Sequence, residues 1–455
     1  VSENRLLILL NPGRQSRHYM LGVAAAAHRM GMPYACVELE SLWNRFNNAQ
    51  CESDERSCVQ SEMSRLVRHH RITHVIGYAW NSVMDFGMLA PAPGTVGEPL
   101  FAALGVRNIL LWTDHPNWFR NGEAMRPQYT RLFSHPLHTH IVKSQTAADE
   151  VAGTLGWSNV HAMPMAEDYH QLLTAREATP VHDVVAIVGA TTAIPPEVAA
   201  FVDVDSPDPH EIDAIMLPTV TADWHRWADG HHVPYETRAA GEVLLNLKLA
   251  DPSRSVWSHA SRIDHSGLSG LAWLRSDPSL WFGATKVFSR LVAWRRDFYL
   301  AWLARRVDLG IYGSSARPIG VNQPQGADEW IEYGDQASIY ARGRVTININ
   351  AAHDEEGCTH KPFQIAASRT ACVHHHTRGL DGLFVPGHQV LTFDHPATLL
   401  DRVNTLLGNQ RDRVAMGAAM HERATQQHTW QARLTDMLNL SDHAIAATPT
   451  YAAAA

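Results

Sequence analysis

Residues Ile347 to Phe393 read ININAAHDEEGCTHKPFQIAASRTACVHHHTRGLDGLFVPGHQVLTF and hold a complete run of strand, helix, strand and strand. Val345 to Asn350 alternates apolar residues with Thr and Asn and reads as a strand. Pro362 to Ser368 reads as the start of a helix, with proline well placed in its first turn. Ala371 to His374 is a short strand, and Gln389 to Phe393 is another. Strands separated by helices at this spacing predict a parallel sheet covered on both faces.

The same alternation extends outward. Upstream, Trp281 to Arg306 reads as one helix and Val307 to Gly313 as a strand. Asp183 to Val188 is a buried strand running into Gly189-Ala190-Thr191. The first third repeats the cycle, with strands at Arg5 to Leu10, Tyr34 to Leu39, Ile72 to Gly77, Arg107 to Thr113 and Thr139 to Val142. Helical spacing appears at Met20, Ala24, Ala27 and Met30, and again at Glu62 to His69. Ser144 is placed to cap a helix that Gly156 stops. Between about 201 and 277 the periodicity is weak, and an irregular or helical insertion is expected at about 200–300. Downstream, Leu399 to Leu407 and Trp430 to Leu438 carry helical spacing. The cycle restarts near residue 180. The expectation is therefore α/β with two Rossmann-like domains, 1–178 and 179–430, and a C-terminal helix and tail over 431–455.

Composition sets further bounds. The 455 residues exceed one compact core and suffice for two α/β domains. A formal charge of −8 argues against a general nucleic-acid binder, which needs a basic face. Leu6 to Leu10 is too short for a membrane span or a signal-peptide core. The five cysteines form no CxxC pair, which fits a reducing cytoplasm. The 28 histidines include the runs His231-His232 and His374-His375-His376, without the spacing of a zinc module, so no metal is expected.

Within the opening window, Asn348-Ile349-Asn350, Lys361-Pro362-Phe363-Gln364, Gly379-Leu380-Asp381-Gly382-Leu383-Phe384 and Gln389 to Phe393 follow one another in order. Asp394-His395-Pro396 and His428-Thr429-Trp430 come after them. In these pieces the chain resembles the CgeB-like, or spore-maturation-protein-like, group of GT-B glycosyltransferases. Upstream, Leu111-Trp112-Thr113-Asp114-His115-Pro116 and Val184 to Gly189 look like two further strands of that family. The resemblance is good over 305–440, fair over 105–190 and absent over 200–300. It implies a GT-B fold, with parallel sheets facing a cleft and C-terminal helices. It also implies a nucleotide-sugar donor bound by the second domain, and no bound metal or cofactor.

Residue by residue, the resemblance places Lys361 at the family's arginine, beside a helix start that suits a pyrophosphate. Glu356 and Gln364 have the eight-residue spacing of the two carboxylates of retaining members, with an amide in the second place. A ribose hydroxyl bonded to Gln364 lacks charge assistance. Phe363, His374, Gly379 and Leu380 complete the donor side. Gly189, Thr191 and Gly313, on turns that follow strands, are likewise placed on the donor side. In the first domain, Asp114 and His115 end a strand, where ligands of open α/β sheets bind, and are the candidate proton acceptors. Gly13, in the turn Asn11-Pro12-Gly13, is placed on the acceptor side. Each has a plainer reading, as a turn cap, a solvated lysine or loop acid, or a surface histidine. The expected function is transfer of a sugar to an acceptor hydroxyl of a protein, glycan or small molecule. The alternatives are an inactive GT-B-shaped binding protein and a nucleotide-sugar epimerase.

Overall fold

A computed structural model describes residues 4–86, 88–89, 97–116, 132–170, 179–189, 194–265, 269–313, 331–350 and 356–446. The chain divides into two compact units. One comprises Val1–Asp168 with Thr429–Ala455, and the other Tyr169–His428.

The first unit is built on six strands: β1 (Leu6–Leu10), β2 (Tyr34–Glu38), β3 (His74–Tyr78), β4 (Arg107–Leu111), β5 (His138–Val142) and β6 (Val160–Ala162). They lie in the order β2-β1-β3-β4-β5-β6, and every pair is parallel. An interior parallel strand is covered on both faces, so β1 is an unbroken apolar run with all five residues buried. At the sheet edge β2 instead alternates exposed and half-buried residues. Helices α1 (Arg14–Arg29), α2 (Leu39–Asn48), α3 (Glu52–His70) and α4 (Gln145–Leu155) cover the sheet. Leu7, Leu9 and Val75 of the strands pack with Val59, Met63 and Val67 of α3. Ser144 caps α4 by accepting from the Ala147 N–H, and Gly156 ends it at φ +64°, as the sequence predicts.

The last helix, Trp430–Ala446, belongs to this first unit, a return that the sequence does not announce. The Trp430 ring lies against Tyr19 with centroids 6.0 Å apart. It also passes so close to α1 that a Cβ on Gly22 would stand 2.4 Å from it. Arg433 Nε donates to Pro164 O at 2.8 Å, and Arg107 pairs with Asp442 at 2.7 Å.

The second unit has five strands: β7 (His182–Ile187), β8 (Leu309–Tyr312), β9 (Gly343–Asn348), β10 (Ala371–His375) and β11 (Leu391–Phe393). Their order is β8-β7-β9-β10-β11, again all parallel. Both units are thus Rossmann-like α/β sheets in which the strand order reverses beside the first strand. The switch points are β1/β3 and β7/β9, and ligands of such sheets bind outside the carboxyl ends there.

The 200–300 region lies in the connection from β7 to β8, and its described residues are mostly helical. It contains α5 (Pro209–Gly230), α6 (Tyr235–Ala250), α7 (Val256–His265), α8 (Pro278–Phe288) and α9 (Arg290–Ala304). Along α5, Ile212, Met216, Val220, Trp224 and Ala228 are buried at intervals of four, a pattern that the internal Pro218 obscures in the sequence. The single helix expected over 281–306 is two helices that meet at Ser289. Lys361–Ser368 is the helix α10.

Candidate functional site

At the β7/β9 switch point, the residue that opens α10 reaches the strand beside it. Lys361 Nζ donates to Ile187 O, the last carbonyl of β7, at 2.7 Å. The N-terminus of α10 carries no acidic residue in its first turn and no side-chain cap. A cation therefore stands at the positive end of a helix, at a carboxyl edge of the sheet, a combination that suits a phosphate group.

Glycine geometry shapes this edge. Gly313 is held at φ +120°, and a Cβ there would stand 2.1 Å from Val188 O. Only glycine allows the turn after β8 to pass the end of β7 so closely. Gly379 has the same constraint, since its Cβ would lie 2.7 Å from Glu356 O and Gly357 C. Gly189 is exposed with open space beside it. Thr191 lies outside the described residues.

Glu356 is held from an unexpected direction. Its Oε1 accepts the Ser255 backbone N–H at 2.8 Å, so the helical insertion meets the carboxylate expected on the donor side. Asn350 Nδ2 donates to Gly357 O at 3.0 Å and fixes the loop next to it. Gln364 is wholly buried. Its Nε2 donates to Tyr333 O at 3.1 Å, while Oε1 has no partner among the described residues. The rings of Tyr333 and His360 stand over the same segment, 4.7 Å apart.

Three donor-side expectations are corrected by burial. Phe363 is a core residue packed on Phe384 and His428, because it points from α10 into the layer beneath. Leu380 is likewise fully buried. His374 has no exposed surface, and both of its ring nitrogens are occupied: Nδ1 donates to His375 O at 2.5 Å and Nε2 accepts from Asn348 at 2.8 Å. Burial pushes its pKa down to about 4, so it is a neutral residue that orients Asn348 and not a phosphate contact.

At the β1/β3 switch point of the first unit, side chains close on one another. Asn11 Oδ1 accepts the Gly13 N–H at 2.7 Å, and Asn11 Nδ2 donates to Asn81 Oδ1 at 2.6 Å. Asn81 Nδ2 in turn donates to Asp85 Oδ2 at 2.9 Å. Burial raises the Asp85 carboxyl to about 6. Between β3 and this chain Ala79 sits at φ +48°, a strained setting for a residue with a Cβ. A Cβ on Gly13 would meet Ser16 Oγ at 2.8 Å, so the space beside that glycine is already used by its own turn. At the end of β4, Asp114 is one-third exposed and lies 3.9 Å from Lys143 Nζ. His115 is turned inward, 3.1 Å from Glu150. Of the two acceptor-side candidates, Asp114 is the one that reaches solvent.

Asn81, Asp85, Ser255 and Tyr333 escaped the sequence reading. Asn81 and Asp85 have a faint local signal, a polar pair four apart after a strand, whereas Ser255 meets Glu356 only through the folding of the insertion. Among the described residues, no group of three or more His, Cys, Asp or Glu could hold a metal ion. No helix of these residues is long and apolar enough to cross a membrane.

Comparison with known proteins bears on the second unit. Residues 295–439 match the model of a family described as glycosyl transferase-like. No curated protein matches the chain. Among solved structures, a glycosyltransferase from Rickettsia africae is similar at 8% identity and a TM-score of 0.45, over 98% of this chain and 100% of that one. Sucrose-phosphate synthase from Thermosynechococcus elongatus is similar at 10% identity and a TM-score of 0.45, with 98% and 100% covered. Anabaena HepE, solved with UDP and glucose, is similar at 8% identity and a TM-score of 0.42, with 96% and 99% covered. By the family match, the segment that holds Glu356, Lys361 and Gln364 is glycosyl transferase-like.

Proposed function

We propose that the protein is a glycosyltransferase of the GT-B kind, akin to the CgeB-like group, which moves a sugar from a nucleotide-sugar donor to an acceptor hydroxyl. The observation that carries the reading is Lys361 against the end of β7 beside the start of α10, inside the glycosyl transferase-like segment. In this reading the diphosphate sits over Lys361 at the positive end of the α10 dipole, which together stabilise the negative charge that grows on the leaving nucleotide. Glu356 faces the donor sugar in this reading, and the buried Gln364 anchors Tyr333. Asp114 takes the proton of the acceptor hydroxyl. The reading includes a cytoplasmic location, supported by five free cysteines, and no bound metal or cofactor.

The test is thermal shift against a panel of nucleoside diphosphates and nucleotide sugars led by UDP and UDP-glucose, because a ligand of the native state raises Tm by mass action. The expected result is a shift with one nucleotide family that falls by ~10-fold or more in affinity in Lys361→Ala, as for loss of a charge-assisted contact. No shift with any member at millimolar concentration rejects the reading. A second reading, a binding protein without turnover, is favoured by the buried amide at Gln364. It predicts the same shift with no sugar transfer and no release of nucleoside diphosphate.

A further inference from the structure

The insertion between β7 and β8 has no counterpart in the resemblance, yet its α6–α7 turn is wired more densely than a surface connection needs. Lys248, almost wholly buried, donates through Nζ to Pro252 O at 3.1 Å and to Arg254 O. His259 Nε2 donates to Asp251 O at 3.0 Å. The Asp251 carboxylate accepts from Ser253 Oγ and Arg254 Nε, and lies 3.8 Å from Arg378, the neighbour of Gly379. The turn is thus fixed from α6, from α7 and from the segment after β10. It delivers one group to the sheet edge, the Ser255 N–H, which meets Glu356 Oε1 at 2.8 Å. Ser255 Oγ accepts from the Ser258 N–H, so this contact is also the start of α7. On the other side of Glu356 the Gly379 backbone is too close for any side chain, which stops the 356–357 loop from backing away.

We propose that the turn Asp251–Ser255 is a positioning element of the donor site, which fixes the Glu356 carboxylate so that it can receive hydroxyl groups of the donor sugar. The inference rests on the glycosyltransferase reading. It assigns to the insertion a part in selecting the sugar, as distinct from the nucleotide. A preset carboxylate binds without the ordering cost of a free one.

The experiment is calorimetric titration of the full chain with UDP and with UDP-glucose, read as the ratio of the two affinities. Ser255→Pro removes the N–H, and Lys248→Met loosens the same turn from behind should the first variant fold poorly. Asp277→Ala removes a cap of the same kind from α8, away from this edge, and controls for general loss of stability. The expected result is a UDP-glucose preference that falls ~10-fold in Ser255→Pro, as for loss of a hydrogen bond to a charged group, with UDP affinity kept. Lys248→Met shifts the ratio in the same direction, and Asp277→Ala leaves it unchanged. Equal loss of UDP and UDP-glucose affinity, or an unchanged ratio in both turn variants, overturns the proposal and leaves the donor-site reading standing. A wild type that prefers UDP-glucose no more than UDP overturns it too. A wild type that binds no nucleotide rejects both.

Discussion

The two switch points solve the same backbone problem with different side chains. At β7/β9 the carboxyl edge is lined by a lysine and by glycines whose backbones approach closely. At β1/β3 the edge is closed by amides and carboxyls that satisfy one another from Asn11 through Asn81 to Asp85. Equivalent strand order gives equivalent crevices, but only the residues after the strands decide what each crevice attracts. The second edge is suited to an anion. The Asn11–Asn81–Asp85 chain of the first carries no cation, and its one carboxyl is raised to about 6 by burial.

The largest test of this contrast is Gly313→Ala. A Cβ would press on Val188 O from a φ that disfavours it. The expected cost is about 3 kcal/mol or more in a urea titration, since overpacking and backbone strain add. A loss below about 0.5 kcal/mol would show that the second edge does not depend on close backbone passage.

Next in size is the acid limb. His374 has a pKa of about 4 when folded, against an ordinary value near 6.5. Between these values the unfolded chain takes up a proton that the folded chain refuses. Stability is therefore complete above pH 6.5 and falls as the pH drops towards 4, by about 1.4 kcal/mol for each unit of separation at the limit. His374→Gln should flatten the Tm decline between pH 7 and pH 5. His140 of the first unit, also pushed down to about 4 by burial, should keep part of the decline in place.

Asp85→Asn is a smaller test of the first edge, and it has the opposite sign. The raised pKa means that the folded carboxyl holds its proton up to about pH 6 while the unfolded one has already lost it. Stability from this group is present below the ordinary carboxylate value and declines as the pH rises through 6. The variant should gain Tm relative to wild type at pH 8 and show no gain at pH 4. Equal differences at both pH values would mean that Asp85 is not held in the protonated form.

The smallest effect expected is that of Ser144→Ala, which removes the cap of α4 at the end of β5 and should cost about 1 kcal/mol in the same urea titration. A loss confined to helix stability would leave the first edge as drawn. A loss of acceptor use would extend that edge to β5.

The apolar runs of Leu6–Leu10 and Val184–Ile187, the helix start at Lys361-Pro362 and the stops at Gly156 and Gly313 are written locally. The sequence alone therefore determined two parallel α/β sheets and the place of Lys361. Burial and periodicity act over a few residues, so a single chain displays them. Which way a side chain faces within a strand or helix is settled by what packs against it. This is why Phe363, Leu380 and His374 read as ligand contacts and fold as core. The return of Trp430–Ala446 to the first unit, the Asn11–Asn81–Asp85 chain and the Ser255 grip on Glu356 join residues about 70 to more than 400 positions apart. Those contacts follow from sheet order and from the docking of the insertion, which no local pattern encodes, so they arise only when the chain has folded.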